Sequence, residues 1–247
     1  FSDEDAAVLS INAHDHRNFL NEFYRGRFPG SFARGLPFQE NPKTGDCRIS
    51  GTCASLAGLE KALKEEGPGE VEFAIRRILL IHGVILTVGG IPLVYLGDEI
   101  GTLNDYGYLD NPAHQNDSRW VHRPKADWER YAKRSDPSTP EGRIFDGLQK
   151  LIQMRKENCV FSGGRLNIFQ TESDHVLGFI RENPTGRTIS LANFSEHSQI
   201  IPITMLEPIA QSGLVCLHGL SRFEEGKDLA VEPLDFLVLS HQVRVDA

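Results

Sequence analysis

The chain has 247 residues, is 40% hydrophobic and carries a formal net charge of −8. This length suits one large domain or two modest ones, with enough apolar side chains for a sizeable core. An acidic balance without any Lys/Arg run speaks for a solvated acidic surface and against a nucleic-acid partner.

No secretory leader is visible at Phe1. The opening Phe-Ser-Asp-Glu-Asp, without a Met, points to a processed chain or a piece of a longer one. Cys47, Cys53, Cys159 and Cys216 have neither zinc-ligand spacing nor the density of a disulfide framework, so reduced thiols are expected. The expected location is cytoplasmic, with secretion left open.

Residues 1–68 read as irregular, with one helix from Asp15 onward. Asp15 is its expected N-cap and Gly26 its end, and Phe19, Leu20, Phe23 and Tyr24 share a face. His14 and His16 flank Asp15 without a specific metal spacing. The stretch from Gly30 to Gly51 reads as a long loop with turns, such as Asn41-Pro42-Lys43-Thr44-Gly45. A long loop in a compact protein is usually functional or disordered, and Phe32, Leu36, Phe38 and Ile49 argue for order. Arg34, Gln39, Asn41 and Arg48 share this loop. Their amide and guanidinium groups suit polyol hydroxyls, or else brace the loop itself.

Lys61 to Glu66 is charged and helix-like, and Gly67-Pro68-Gly69 breaks it. A helix from about Glu70 to Val88 follows from the spacing of Val71, Ile75, Ile78, Leu79, His82, Ile85 and Leu86. His82, on its apolar face, reads as a satisfied core histidine. Ile78 to Leu96 is 19 residues without a charge, long enough to suggest a membrane span. Gly89-Gly90 and Pro92 break that run, so a buried helix followed by a buried strand, Ile91 to Leu96, explains it better. A strand of that kind belongs to a parallel sheet or barrel. Asp98 and Glu99 follow it, where barrel enzymes bind ligands. They line a pocket, fix a loop, cap a helix or form a structural salt bridge. Adjacent residues face apart on a strand, which makes them poor as a paired acid and nucleophile.

Residues 101–140 are polar and turn-rich. Within them, Arg119 offers a guanidinium fork for a carboxylate or a sugar hydroxyl, and Trp120 a plane for a sugar ring. The other reading is a surface arginine beside a core tryptophan. Ser138-Thr139-Pro140-Glu141 marks a helix start near Pro140, with Ile144, Phe145, Leu148, Leu151 and Ile152 as its stripe. Beyond Cys159 short runs alternate with turns: Arg165–Thr171, His175–Arg181, Thr188–Phe194, Gln199–Ile203, Leu214–Leu217, Asp228–Val231 and Phe236–His241. They predict a small antiparallel β-domain.

Gly90-Ile91-Pro92-Leu93-Val94-Tyr95-Leu96-Gly97-Asp98-Glu99 resembles the eighth barrel strand of the α-amylase family of glycoside hydrolases, family 13. Ser31-Phe32-Ala33-Arg34-Gly35-Leu36-Pro37-Phe38-Gln39, Asn41-Pro42, Thr44-Gly45-Asp46-Cys47-Arg48 and Asp117-Ser118-Arg119-Trp120 resemble its amylosucrase and sucrose hydrolase subgroup. The resemblance implies an α/β plus β chain. It would be the C-terminal part of a (β/α)8 barrel, comprising a loop-7 subdomain, helix 7, strand 8 and helix 8, then an antiparallel β-sandwich domain. The implied domains are 1–68, the extended loop subdomain; 69–160, the end of the barrel; and 161–247, the β-sandwich.

The family's retaining chemistry uses two carboxylates roughly 5–5.5 Å apart. The resemblance places these, and a third, upstream of Phe1, so no catalytic residue is expected in this chain. For substrate it implies Arg119 at the bottom of the glucosyl pocket, Gln39, Asn41 and Arg48 near the fructosyl or acceptor sites, and Arg17, with Phe19 beside it, on longer glucan. Sucrose, α-glucan and the N-terminal part of the same polypeptide are the implied partners, with no cofactor, metal, nucleic acid or membrane. A sucrose hydrolase fragment and a non-catalytic carbohydrate-binding module are the alternatives.

Overall fold

A computed structural model describes residues 2–206 and 214–241, with the side chain of His241 left out. The chain divides into two compact units. The first holds residues up to 74 together with 96–141, and the second holds 75–95 and 142 onward.

In the first unit, helix α1, Asp3–Val8, starts with a reciprocal capping box between Ser2 and Asp5. Helix α2, Ala13–Tyr24, is capped by Asn12, whose side chain accepts from the Asp15 backbone N–H at 3.1 Å. Asp15 is therefore not the N-cap. It lies in the first turn, where a carboxylate still favours the helix dipole. The helix ends at Arg25, and Gly26 follows with φ of 74°. A Cβ there would sit 2.6 Å from the Ala33 carbonyl oxygen, so glycine is required for the turn and for the space.

The loop expected at 30–51 is ordered around a short hairpin. Strand β1, Leu36–Phe38, pairs antiparallel with β2, Arg48–Ser50. The turn at Asn41 forms as expected: Gly45 N–H donates to the Asn41 carbonyl at 2.8 Å, and Lys43 N–H to its side chain at 2.9 Å. Helices α3, Cys53–Leu56, and α4, Leu59–Glu65, follow. Helix α5, Pro68–Thr87, begins at a proline whose missing N–H costs nothing there. Residues 96–141 are mainly short 3-10 turns at Asp98–Ile100, Tyr106–Asp110 and Ser118–His122, with helix α6 at Trp128–Ala132. Sequence periodicity could not show α6, which is little more than one turn long.

The expected buried strand Ile91–Leu96 does not form. The segment is irregular, with Leu96 in a turn, and Ile91 is 98% and Leu93 78% exposed. An apolar run becomes a strand only when a neighbour takes up its N–H and C=O groups, and no described strand lies beside it.

The second unit packs the later turns of α5 and helix α7, Pro140–Glu157, with an antiparallel sheet. The seven expected runs all form strands: β3 Arg165–Phe169, β4 Val176–Asn183, β5 Gly186–Asn193, β6 Gln199–Ile201, β7 Leu214–His218, β8 Leu229–Val231 and β9 Phe236–His241. Five make a sheet in the order β3-β4-β5-β9-β7, and β6 pairs with β8. The short helix α8, Ile203–Leu206, lies between β6 and β7. Val176, Ile189, Leu191, Ile201, Leu206, Leu229, Val231, Leu237 and Leu239 form one buried cluster. Each such side chain contributes roughly 1.5–3 kcal/mol on leaving water.

Two close approaches set the α5 packing. A Cβ on Gly83 would lie 2.3 Å from the Phe236 ring, and one on Gly147 2.6 Å from Leu79. His82 is buried, with Nδ1 2.8 Å from the Ile78 carbonyl oxygen, as a core histidine should be. The carbonyls ending α5 are met by two arginines. Arg155 donates to Leu86 and, at 3.1 Å, to Gly90; the buried Arg181 donates to Val88 at 3.5 Å and to Gly163. Cations at a helix C-terminus complement its dipole as well as its orphan carbonyls. No helix among the described residues is long and apolar enough to cross a membrane.

Candidate functional site

Within the first unit, the two segments that carry the most specific motifs come together. Ser118 Oγ donates to the Pro37 carbonyl at 2.7 Å, and the Arg119 guanidinium lies 4.5 Å from the centre of the Phe38 ring. Residues some eighty positions apart thus share one ledge. Phe38 is its centre. Arg48 is its cross-strand partner, and Gln39 is the next residue along, turned by a positive φ of 53°. Gln39, Asn41, Arg48 and Arg119 are all exposed. The ledge presents amide and guanidinium groups around an aromatic face, a set suited to hydroxyl-rich ligands.

Arg119 is already held. Its Nε donates to Asp117 Oδ1 at 2.9 Å, and its other nitrogen to Oδ2 at 2.8 Å. This fork keeps the Asp117 carboxyl far below the usual range, at about 2. A carboxyl depressed in this way favours the folded pairing above its ordinary pKa, and loses it only as pH falls through about 2. Asp117 is thus an acceptor at neutral pH and has no proton to give. Trp120 stacks on His114 with ring centres 3.6 Å apart and planes 13° from parallel. One face of the indole is therefore occupied.

Helix α2 supplies the other two candidates. Asn21 donates to Asp46 at 3.2 Å and so fastens the helix to the hairpin turn. Arg17, four residues earlier, is on the same side and pairs with Asp3 at 2.9 Å. Phe19 is on another side, edge-on to Phe28 at 4.8 Å and near Phe23, in an aromatic cluster that braces α2. The structure thus gathers Gln39, Arg48 and Arg119 around Phe38, with Asn41 in the adjoining turn. Arg17 and Phe19 stand apart from that ring. Arg34 braces the loop, through a two-pronged contact with Glu65 at 3.1 and 2.5 Å.

Glu99 fixes a loop. It accepts from the Gly97 backbone at 2.7 Å and from the Tyr131 hydroxyl at 3.0 Å. One further residue ties this region together. Asn104 is buried and joins three segments: it accepts from Thr52 N–H at 2.9 Å, and donates to the Arg34 carbonyl at 2.6 Å and to Tyr106 at 3.3 Å. Its backbone N–H reaches Ser55 Oγ at 2.9 Å, and Ser55 in turn donates to the buried Glu60 at 2.6 Å. Nothing local in Leu103-Asn104-Asp105 announces this, because most of its partners are distant in sequence.

No family model matches the chain. Among curated proteins it is similar to glucosylglycerate phosphorylase of Escherichia coli K12, 25% identical over 132 residues, covering 53% of this chain and 23% of that one. It is also similar to trehalose synthase of Thermus thermophilus, 25% identical over 171 residues, covering 60% and 17%. The chain therefore spans less than a quarter of these relatives. Among solved structures it resembles Eubacterium rectale Amy13B, with a TM-score of 0.54 at 14% identity over 78% of this chain and 37% of that one. It also resembles the trehalose-6-phosphate hydrolase of Bacillus licheniformis, with a TM-score of 0.50 at 17% identity over 67% and 38%. At these identities the likeness is one of fold.

Proposed function

We propose that this chain is the C-terminal portion of an α-amylase-family transglucosidase that moves glucose from sucrose to an α-1,4-glucan with retention and releases fructose. The comparisons indicate that family at low identity, through relatives named for glucosylglycerate and trehalose and through the fold shared with Amy13B. The observation that carries the sucrose reading is the Phe38 ledge. The segments that resemble the amylosucrase subgroup, 31–48 and 117–120, meet there and expose Gln39, Arg48 and Arg119. In this reading Arg119 shapes the glucosyl pocket, and Gln39, Asn41 and Arg48 meet the fructosyl or acceptor sugar. Arg17 and Phe19, further off on α2, meet longer glucan.

The reaction's nucleophile and acid/base lie on the rest of the polypeptide. The purified 247-residue chain is thus expected to release no fructose from sucrose above a blank. Measurable release would contradict the reading. In the complete protein, sucrose should yield fructose together with insoluble glucan. Fructose and glucose in equal amounts would mark a hydrolase instead.

Arg119→Ala in that complete protein should raise the sucrose KM about tenfold, since losing one charge-assisted contact costs on the order of 1.5 kcal/mol. Unchanged KM and kcat would remove Arg119 from the substrate site.

A further inference from the structure

A cavity of about 270 Å3 in the first unit is lined in part by Asp105, Lys125, Asp127, Arg130 and Tyr131. None of these belongs to the Phe38 ledge. Beside it, Trp128 is 76% exposed, on a helix otherwise short of apolar surface. Trp128 and Tyr131 are three residues apart on α6, on one helical face, with ring centres 5.5 Å apart. Tyr131 lines the cavity, so the indole is one ring removed from it.

Two of the polar lining side chains, Arg130 and Tyr131, are held in place. Arg130 donates to Glu141 at 3.0 Å and to the Gly101 carbonyl at 3.2 Å. The Tyr131 hydroxyl is fixed on Glu99 at 3.0 Å. Side chains ordered beforehand lose little freedom when a ligand arrives. The formal charges cancel, with Asp105 and Asp127 against Lys125 and Arg130. Two carboxylates disfavour a phosphate, and two cations disfavour a metal ion. A neutral ligand that both donates and accepts hydrogen bonds suits the set. The volume lies just below the roughly 300–1,000 Å3 of drug-sized sites, so the occupant is small. The electron-rich face of an exposed indole attracts the weakly positive C–H groups of a sugar ring.

We propose that this cavity and Trp128 form a saccharide-binding site separate from the Phe38 ledge, with one ring in the cavity and its neighbour against the indole. The site does not depend on the sucrose reading, since it follows from its own lining.

Titrating the chain with maltotriose, cellobiose and sucrose tests it. Saturable binding of at least one is expected by calorimetry, with a change in tryptophan emission. The chain has two tryptophans, so the emission change should persist in Trp120→Phe and vanish in Trp128→Ala. Affinity should fall at least about fivefold in Trp128→Ala, as for other stacking anchors. Both Trp128 and Lys125 are exposed, so Lys125→Ala is a second variant that should fold normally and bind more weakly. Binding as tight as wild type in both variants would overturn the proposal, and so would the absence of saturable binding to all three sugars.

Discussion

Asn104→Ala is expected to destabilise the first unit by about 3 kcal/mol, because a buried polar group left without its partner costs roughly 1–3 kcal/mol. The substitution strands two such groups. The Thr52 N–H loses its acceptor and the Arg34 carbonyl loses its closest donor. It also leaves a small void between the segments that this buried side chain joins. The Tyr106 hydroxyl loses a neighbour too, in a region where burial already raises its pKa. Hydrogen exchange on the chain should show faster exchange near residues 31–56 and 101–106, with the β-strands of the second unit unchanged. Asn104→Asp separates the contributions. It keeps an acceptor for Thr52 but has no donor for Arg34, so it should lose part of the stability. Exchange rates identical to wild type in the alanine variant would show that the network does not hold the unit together.

The Phe38 ledge depends on this network, since Asn104 ties the segment leading to Arg119 back to the one leading to Phe38. The sequence made most of the second unit legible. Its strands are short apolar runs bounded by Asn-Pro-Thr-Gly and similar turns, and the central β5 is buried without a break from Thr188 to Asn193. The helix over 70–88 and the one from Pro140 were legible for the same reason: a stripe at helical spacing between strong stop signals. Residues 91–96 misled because hydrophobicity reports a tendency to be buried, whereas a strand also needs a partner for its backbone. The ledge was half legible. Gln39, Arg48 and Arg119 could be chosen for their chemistry, but only the fold reveals that Asp117 already holds Arg119 and that Phe38 lies beneath it. Trp128 is not legible in the sequence, because a lone tryptophan in a polar loop carries no periodicity. Its exposure is a property of the folded chain.

Asn193→Ala is expected to cost the second unit about 4 kcal/mol, the larger effect of the two, again at roughly 1–3 kcal/mol for each buried group left unpaired. Asn193 has no exposed surface and sits at the end of β5. Its amide donates to the carbonyls of His197 at 2.8 Å, Val231 at 3.1 Å and Glu232 at 3.0 Å. Its oxygen accepts from the Ser195 backbone and hydroxyl, both at 2.9 Å. One side chain thus fastens the turn into β6 to the end of β8, beside the β6–β8 pairing and the Leu234 N–H that donates to the Ser195 carbonyl at 3.0 Å. Asp235 works beside it, taking the Leu220 and Ser221 N–H groups at 3.0 and 2.9 Å. Alanine would leave carbonyls facing an empty space. Asn193→Asp should be at least as damaging, because it points an acceptor at three acceptors. The expected readout is a lower urea midpoint, followed by circular dichroism of the sheet, with faster hydrogen exchange at residues 195–201 and 229–235. Exchange near Asn104 should stay as in wild type, because the two networks lie in separate compact units. If either substitution loosened both regions equally, the chain would unfold as one cooperative body rather than as two.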